Sequence, residues 1–184
     1  MSKNPDLKVI TPQFRMAFCF LTTPRKDDKG TEKYELTMLF PLEADLSGLK
    51  KAATAALVEK WGTDKSKYPS NLKSPFRSGD EESLKKYDGF AGMTVVRAST
   101  TTPPGIVDSK VKPVVDPKEI YPGRWAIASI TAGTYDTQGN RGVTFYLNHV
   151  QLLRHDDCFA GRSRAEDVFQ PVDVPATGDG DFFA

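Results

Sequence analysis

Basic and aromatic residues are interspersed along one polar stretch of the chain, between residues 65 and 90. The stretch contains ten such residues: Lys65, Lys67, Tyr68, Lys73, Phe76, Arg77, Lys85, Lys86, Tyr87 and Phe90. Lysine and arginine bind phosphate groups and release their counterions. Aromatic rings stack on bases of any type, so the combination suits an unpaired nucleic-acid strand. We therefore interpret this stretch as part of a binding surface for such a strand.

Further basic and aromatic residues occur in strand-like segments, where they would continue the same surface. These are Arg97, Arg124, Trp125, Tyr135 and Arg141. The competing interpretation is that the aromatic residues only cover the core, and we favour it for Trp125 and Phe90. The predicted phosphate contacts are Lys73, Arg77, Lys85, Lys86, Arg97, Arg124 and Arg141. The predicted stacking residues are Phe76, Tyr87 and Tyr135.

One group of residues has the types found in a nucleophile relay. His155, Asp156 and Cys158 combine an imidazole, a carboxylate and a thiol, which together can form such a relay. They sit in one polar loop, however, whereas relay partners normally converge from separate elements. The phosphate-binding pattern GxxxxGK[ST] is absent from the sequence. We predict a binding protein without a cofactor or metal, and not an enzyme.

An acidic run leaves a second enzymatic alternative open. Asp80, Glu81 and Glu82, with Asp88, could hold a divalent ion for nuclease chemistry. A solvated charge run is the simpler interpretation, because clustered acids are usually exposed. A third class of function is a virion or assembly protein that uses a β-barrel only for protein contacts.

The composition is that of a single globular domain. The 184 residues include 39% hydrophobic and 27% charged residues, which is enough to build one core. No apolar run approaches the roughly 18 residues of a membrane span, and the N-terminal MSKNPDLK lacks the apolar centre of a secretory signal. Cys19 and Cys158 are the only cysteines and have no metal-ligand spacing. These features predict a cytoplasmic protein.

The charge is distributed unevenly along the chain. Residues 1–154 contain 23 Lys and Arg against 17 Asp and Glu, whereas residues 155–184 contain 2 against 7. We predict a flexible acidic tail over residues 165–184, because aspartate and glycine disfavour regular structure. The tail would fold back weakly on the basic body until nucleic acid displaces it. Its partner-binding tip would consist of Asp179, Asp181, Phe182 and Phe183, with the two rings entering an apolar pocket.

The segments that position the candidate residues are mainly β-strands. Apolar and aromatic patterns predict strands over residues 14–21, 34–42, 93–100, 124–135 and 143–153, with an irregular strand at 111–115. The last two long strands form a hairpin whose turn lies in DTQGNRG. This number of strands predicts a small, mostly antiparallel β-barrel.

The remaining segments are one helix and two polar links. Helical spacing predicts a helix over residues 46–61, with Asp45 as its N-cap and Gly62 as its stop. Residues 63–92 show no apolar periodicity, so we interpret them as a functional flap. The link at residues 23–33 reads as a hairpin loop and a candidate basic finger. The finger contains Arg25, Lys26, Lys29 and Lys33.

The predicted hairpin resembles a known family. The stretch YPGRWAIASITAGTYDTQGNRGVTFYLNHVQLLRHDD contains a YPG-x-W strand start, a Tyr-Asp-x-x-Gly-Asn-x-Gly turn and a Gly-Val-x-Phe-x-Leu-Asn strand. The motif residues are Tyr121, Pro122, Gly123, Trp125, Tyr135, Asp136, Gly139, Asn140, Gly142, Val143, Phe145, Leu147 and Asn148. With the downstream AEDVF, the chain is similar over residues 8–170 to bacteriophage single-stranded DNA-binding proteins of the OB-fold type.

The resemblance implies an OB-like, single-stranded DNA-binding domain over residues 1–164, acting in phage DNA replication, recombination or repair. It implies that the acidic tip recruits replication or recombination proteins in the cytoplasm of an infected bacterial cell. Oligomeric state stays open, a homo-oligomer included. Two features depart from the family pattern. The chain ends on Ala184 and not on an aromatic residue, and the predicted helix follows the second recognisable strand, whereas an OB-fold has it between strands three and four. Either Val9–Thr11 is a separate strand or the barrel is elaborated.

Overall fold

Five strands close into a ring in the computed structural model, which describes residues 4–159 and 170–172. The strands are β1 Lys8–Ile10, β2 Phe14–Lys26, β3 Glu32–Pro41, β4 Leu72–Lys73, β5 Phe76–Ser78, β6 Met93–Thr100, β7 Gly105–Val107, β8 Trp125–Thr137 and β9 Asn140–Leu152. The single α-helix among the described residues is α1, Ser47–Trp61, and short 3₁₀ turns occur at Pro5–Leu7, Lys65–Lys67 and Pro117–Glu119. This confirms the mostly β fold with one helix.

The ring runs β2–β3–β6–β9–β8 and closes where β8 pairs with β2. Counted along the chain, its five strands follow the order 1-2-3-5-4, which is the arrangement of an OB-type barrel. Four of the five junctions are antiparallel, and the β6–β9 junction is parallel. The predicted barrel is therefore confirmed, with one parallel junction that the sequence pattern did not indicate.

The helix lies between the second and third ring strands, so the barrel is elaborated relative to the expected order. β1 forms a separate short strand along β8, with Val9 opposite Ile130. Since β9 occupies the other edge of β8, β1 and β2 share one edge and act as a single interrupted strand. The ring order is unchanged by β1. Of the two explanations left open by the sequence, both apply.

Alternating side chains fill the ring. On β8, Ala126, Ala128, Ile130 and Ala132 are buried, while the residues between them are partly exposed. Larger side chains complete the core from the other ring strands and the helix: Phe14, Met16, Leu36, Met38, Phe40, Leu49 and Phe145. The small alanines of β8 face α1, which packs against this strand. The helix begins one residue later than predicted, with Leu46 as its N-cap and Asp45 accepting from the Ser47 amide at 2.9 Å.

The structure contains one of two predicted local features, the hairpin turn, and lacks the other, a strand at residues 111–115. The β8–β9 turn is tight, and its central Gln138 and Gly139 both have positive φ, as a type I′ turn requires. The predicted strand at residues 111–115 is wrong. The Asp108 carboxylate accepts from the Lys110 and Lys112 amides and folds this segment into a turn, leaving only one isolated bridge there.

Residues 63–92, the flap, fold over the outer face of the ring. Short pairings hold the flap at β4, parallel to β9, and at β5, antiparallel to β6. Phe90 is buried and packs with Ala17, Leu39 and Val95 in a small second core outside the ring. The flap is therefore attached to the barrel by hydrogen bonds and by its own apolar contacts.

None of the helices formed by residues 4–159 is long and apolar enough to cross a membrane. The proposed division between domain and tail at residue 164 lies outside the described residues, as does the predicted tip with Asp179, Asp181, Phe182 and Phe183.

Candidate nucleic-acid interface

An open groove crosses the outer face of β3 and β6, where the flap rises beside them. Its volume is about 490 Å³. Glu35, Thr37 and Arg97 form the floor, because they alternate along their strands with residues that point into the ring. Arg77 and Tyr87 of the flap form one wall. Three predicted site residues, Arg77, Tyr87 and Arg97, therefore converge on one groove.

Two exposed aromatic rings stand at one end of the groove. Phe18 and Tyr87 are 40% and 39% exposed, and their rings meet edge to face with centroids 5.0 Å apart. Phe18 has a φ of 46° and lies at an irregularity in the β2–β3 register between Ala17 and Phe20. Such a bulge turns a side chain away from its alternating position. The pair offers apolar faces on which unstacked bases can lie.

The guanidinium groups of the groove are held by carboxylates. Glu35, whose side chain is only 15% exposed, lies between Arg97 at 3.2 Å and Arg25 at 3.7 Å. On the flap, Arg77 donates from Nε to Glu81 at 3.0 Å and from Nη2 to Ser83 at 2.9 Å. The hydrogen bond from Arg77 lowers the pKa of Glu81. Each guanidinium has five N–H donors, so a carboxylate orients it while leaving donors for phosphate.

The flap lysines stand close to the aromatic pair. Lys86 places its ammonium 5.2 Å from the centroid of the Tyr87 ring, within the range of a cation–π contact. Lys85 is exposed and forms an ion pair with Glu82. Both predicted phosphate contacts are therefore on the surface, Lys86 directly beside the rings.

Three other predicted residues cluster where β4 meets the start of β9. Lys73 donates to the Asn140 side chain at 2.6 Å, and Arg141 donates to Asp136 at 3.0 Å. Tyr135 lies opposite Gly142, and a Cβ on this glycine would come within 2.6 Å of the Tyr135 hydroxyl. The residues that follow Lys73 and Gly142 in the chain line the groove. This cluster therefore adjoins the groove at the end away from Phe18.

Two predicted contacts are not on this surface. Arg124 is only 6% exposed, and its guanidinium donates to the carbonyls of Glu119 at 2.9 Å and Leu153 at 3.1 Å and pairs with the Glu119 carboxylate. Its contacts join the chain on either side of the β8–β9 hairpin, so it is a structural residue. Phe76 lies opposite Val96 and packs on Phe145 with centroids 6.1 Å apart. It is partly buried against the ring core and does not line the groove.

Two groove residues were not among the predicted contacts. Arg25 was named as part of a basic finger, but its pairing with Glu35 depends on the β2–β3 register. Phe18 follows Ala17 in a strand whose aromatic residues alternate, and only the bulge brings it to the surface. A run of apolar residues carries no signal for such a bulge.

Two of the three groups considered for catalysis, His155 and Asp156, are engaged in separate contacts. His155 Nδ1 lies 2.9 Å from the Tyr121 hydroxyl, and Asp156 accepts from the Trp125 indole at 2.7 Å. This indole bond lowers the pKa of Asp156. Burial raises the pKa of the other thiol, Cys19, to about 12, so it is protonated near neutral pH. The contacts of His155 and Asp156 are therefore structural and are made with different partners.

The acids of the flap are likewise held apart by different partners. Glu81 pairs with Arg77 and Glu82 with Lys85, while Asp80 accepts from the Gly92 amide at 2.9 Å. Within residues 4–159 and 170–172, no three potential metal ligands come together. The acidic run orders the flap through these bonds.

Comparison with known proteins agrees with this architecture. Residues 7–182 match the family model described as Enterobacter phage Enc34, ssDNA-binding protein. A curated relative, putative protein p50 of Acyrthosiphon pisum secondary endosymbiont phage 1, is 30% identical over 165 residues, which cover 84% of this chain and 88% of the relative.

Solved structures show the same fold. The single-stranded DNA-binding protein from bacteriophage Enc34 in complex with ssDNA superposes with a TM-score of 0.69 at 20% identity, covering 85% of this chain and 91% of that one. The single-stranded DNA-binding protein gp2.5 of bacteriophage T7 gives a TM-score of 0.56 at 16% identity, covering 85% and 97%. The five-stranded ring, the groove and the match over residues 7–182 lead to one conclusion: this chain belongs to the Enc34-type family of phage single-stranded DNA-binding proteins.

Proposed function

We propose that this protein binds single-stranded DNA without sequence preference, with the strand lying along the groove between β3, β6 and the flap. The observation that carries the proposal is the convergence of Arg25, Arg77 and Arg97 with the exposed Phe18–Tyr87 pair on one groove. The family consists of DNA-binding proteins and not of enzymes, which agrees with the prediction from sequence.

The absence of sequence preference follows from the chemistry of these side chains. Guanidinium groups contact phosphates, which are the same for every nucleotide. Phe18 and Tyr87 present ring faces and edges, and every base has a face that can stack on them. In a duplex the bases are already stacked on each other, so the aromatic pair favours an unpaired strand.

A strand that enters the groove shares the guanidinium groups with Glu35 and Glu81. Phosphate oxygens approach the guanidinium donors that the carboxylates leave unused, and counterions are released from the DNA. Lys86, Lys73 and Arg141 extend the positive surface at the two ends of the groove. This arrangement supports strong binding at low salt and a steep loss of affinity as salt rises.

The first test compares Arg97→Ala with Lys110→Ala, a change of the same charge at an exposed turn outside the groove. Fluorescence anisotropy would measure the affinity for a labelled oligothymidylate and for a duplex at several salt concentrations. We expect Arg97→Ala to weaken single-strand binding and to reduce the salt slope by about 0.7 for one lost phosphate contact.

Lys110→Ala should keep both the affinity and the slope of the native protein. Equal behaviour of the two variants would contradict the placement of the strand in the groove. A native protein that binds the duplex as tightly as the single strand would contradict the proposed function itself.

The C-terminal tail has a role in the same proposal. Phe159, the last described residue before the acidic segment, lies against Gly89 and packs on the Phe90 cluster of the flap. Phe159 therefore lies beside the aromatic pair at one end of the groove, and the acidic segment follows it in the sequence. We include in the proposal that residues 165–184 compete weakly with DNA, and that Asp179, Asp181, Phe182 and Phe183 recruit replication or recombination proteins in the infected cell.

A further inference from the structure

Tyr146 is an exposed aromatic residue on the outer face of β9 that the groove does not include. Its side chain is 48% exposed, and it alternates with the buried Phe145 and Leu147. The ring lies over Gly133 of β8, since a Cβ on this glycine would come within 2.4 Å of Tyr146 Cε2. Any larger residue at 133 would displace the ring. The sheet therefore holds the Tyr146 ring on an open surface.

A second hollow surrounds this ring, with a volume of about 710 Å³. One side of the hollow is polar: Asn148 donates to the Thr131 hydroxyl at 3.0 Å, and both residues line the hollow. Lys8 and Lys60 lie at its rim, on the N-terminal segment and at the end of α1. A single aromatic ring with hydroxyl, amide and ammonium groups around it suits a base with its sugar and phosphate.

The hollow is continuous with the groove along one face of the sheet. Thr144 lines the groove, and Tyr146 lies two residues further on the same face of β9, about 7 Å away. On the neighbouring β6, Ser99 is paired with Tyr146, and Arg97 of the groove floor is two residues before it. A strand that leaves the groove at Thr144 therefore meets the Tyr146 ring next, without crossing an element of the fold.

We propose that Tyr146, resting on Gly133, is a second stacking site that binds the nucleotides of a single-stranded DNA after they leave the groove. This inference rests on the proposed function and extends it, because it predicts two contact regions that fill in sequence as the DNA lengthens. Lys8 and Lys60 contact phosphates at this second region. Short oligonucleotides occupy only the groove, and longer ones reach Tyr146.

The test measures affinity for a series of oligothymidylates of increasing length. Tyr146→Ala should bind short oligonucleotides as the native protein does and should lose about tenfold in affinity for long ones, as expected for one lost stacking contact. Tyr146→Phe keeps the ring and should behave as the native protein at all lengths. Gly133→Ala, which pushes against the ring, should show the same length-dependent loss as Tyr146→Ala, provided that its thermal midpoint is unchanged.

A direct readout does not depend on variants. Photo-crosslinking with oligonucleotides that carry 5-iododeoxyuridine, followed by mass spectrometry of peptides, should modify Tyr146 with long oligonucleotides and not with short ones. Absence of this crosslink at saturating long DNA overturns the proposal. An equal loss at all lengths in Tyr146→Ala also overturns it, since that result indicates a general structural role.

The outcomes separate this inference from the proposed function. If short oligonucleotides bind with a dependence on Arg97 while Tyr146→Ala is native-like at every length, the groove is retained and the second site is rejected. If Tyr146→Ala changes only self-association in sedimentation experiments, the hollow is a protein interface and the second site is again rejected. If no oligonucleotide binds the native protein, the proposed function fails first.

Discussion

Tyr87 contributes to the candidate interface through a ring that is oriented by its neighbours. Phe18 meets it edge to face and Phe90 supports it at a centroid distance of 5.5 Å, which leaves part of the ring exposed to solvent. Aromatic pairs in this geometry stabilise each other by about 0.5–1.5 kcal/mol beyond their burial. A ring held in this way loses little freedom when a base stacks on it.

We expect Tyr87→Ala to weaken binding of single-stranded DNA by about 1–3 kcal/mol, because one base loses its stacking partner. Tyr87→Phe should retain most of the affinity, since the ring and not the hydroxyl makes the contact. Fluorescence titration with oligothymidylate at fixed salt would measure both.

Tyr68→Ala provides a matched control for this pair of variants. Tyr68 also lies on the flap, but its hydroxyl donates to the Gly62 carbonyl at 3.1 Å and its ring packs near Trp61. It should bind DNA nearly as the native protein does. If the Tyr68 and Tyr87 variants lose affinity equally, the effect is a general loss of flap structure and not of stacking.

The flap is held against the barrel by a close backbone contact. A Cβ on Gly79 would lie 1.7 Å from the Phe90 carbonyl oxygen, and the Gly79 amide donates to the Met93 carbonyl at 2.8 Å. No side chain fits at this position. The contact holds the two ends of the Gly79–Phe90 segment together and so places Tyr87 beside Phe18.

Gly79→Ala should therefore displace this segment and lower DNA affinity, while the ring core stays folded. Limited proteolysis would report increased cleavage in residues 80–90, and circular dichroism would report the retained barrel. Gly48→Ala is the control, because its nearest neighbour is a Val9 methyl group at 3.3 Å and alanine is the better helix former. A Gly79→Ala protein with native affinity and native cleavage would show that the flap does not position the interface.

Much of this framework could be predicted from the sequence, and the exceptions have physical reasons. Alternation placed β6 at residues 93–100 and identified the β8–β9 hairpin. Alternation also assigns Phe76 and Arg77 to opposite faces of β5, but it does not indicate which face points into the ring. The prediction that both side chains lie on the binding surface therefore does not hold for Phe76. Nothing in the local sequence distinguishes Arg124 from a surface arginine. Its carbonyl partners, from residues 119 and 153, are brought to it only by the fold. Long-range contacts of this kind leave no local pattern.

Charge is distributed unevenly over the protein. The first 154 residues contain 23 basic and 17 acidic residues, whereas the last 30 contain 2 and 7. In the proposed function, an acidic segment on the same chain as a basic groove raises the local concentration of carboxylates and competes with phosphate without needing a fixed structure.

Deletion of residues 171–184 should therefore tighten binding of single-stranded DNA, with the largest gain at low salt, where charge interactions are least screened. A full-length protein with Asp179→Asn and Asp181→Asn should show part of the same gain while keeping the chain length. Anisotropy titrations at two salt concentrations would measure both. If the truncated protein binds no better at low salt, the competition is absent, although recruitment of partners by the tip would still be open to a pull-down test.

The carboxylate of Glu35 would also affect how DNA dissociates from the proposed site. Because it sits between Arg25 and Arg97 in the empty groove, departing DNA does not leave two bare cations behind. The guanidinium groups keep this resident anion as the phosphates leave, which lowers the free energy of the DNA-free groove in the proposed binding mode. The strand proposed to lie in the groove would therefore dissociate more readily, at the cost of part of the affinity that two unpaired arginines would give.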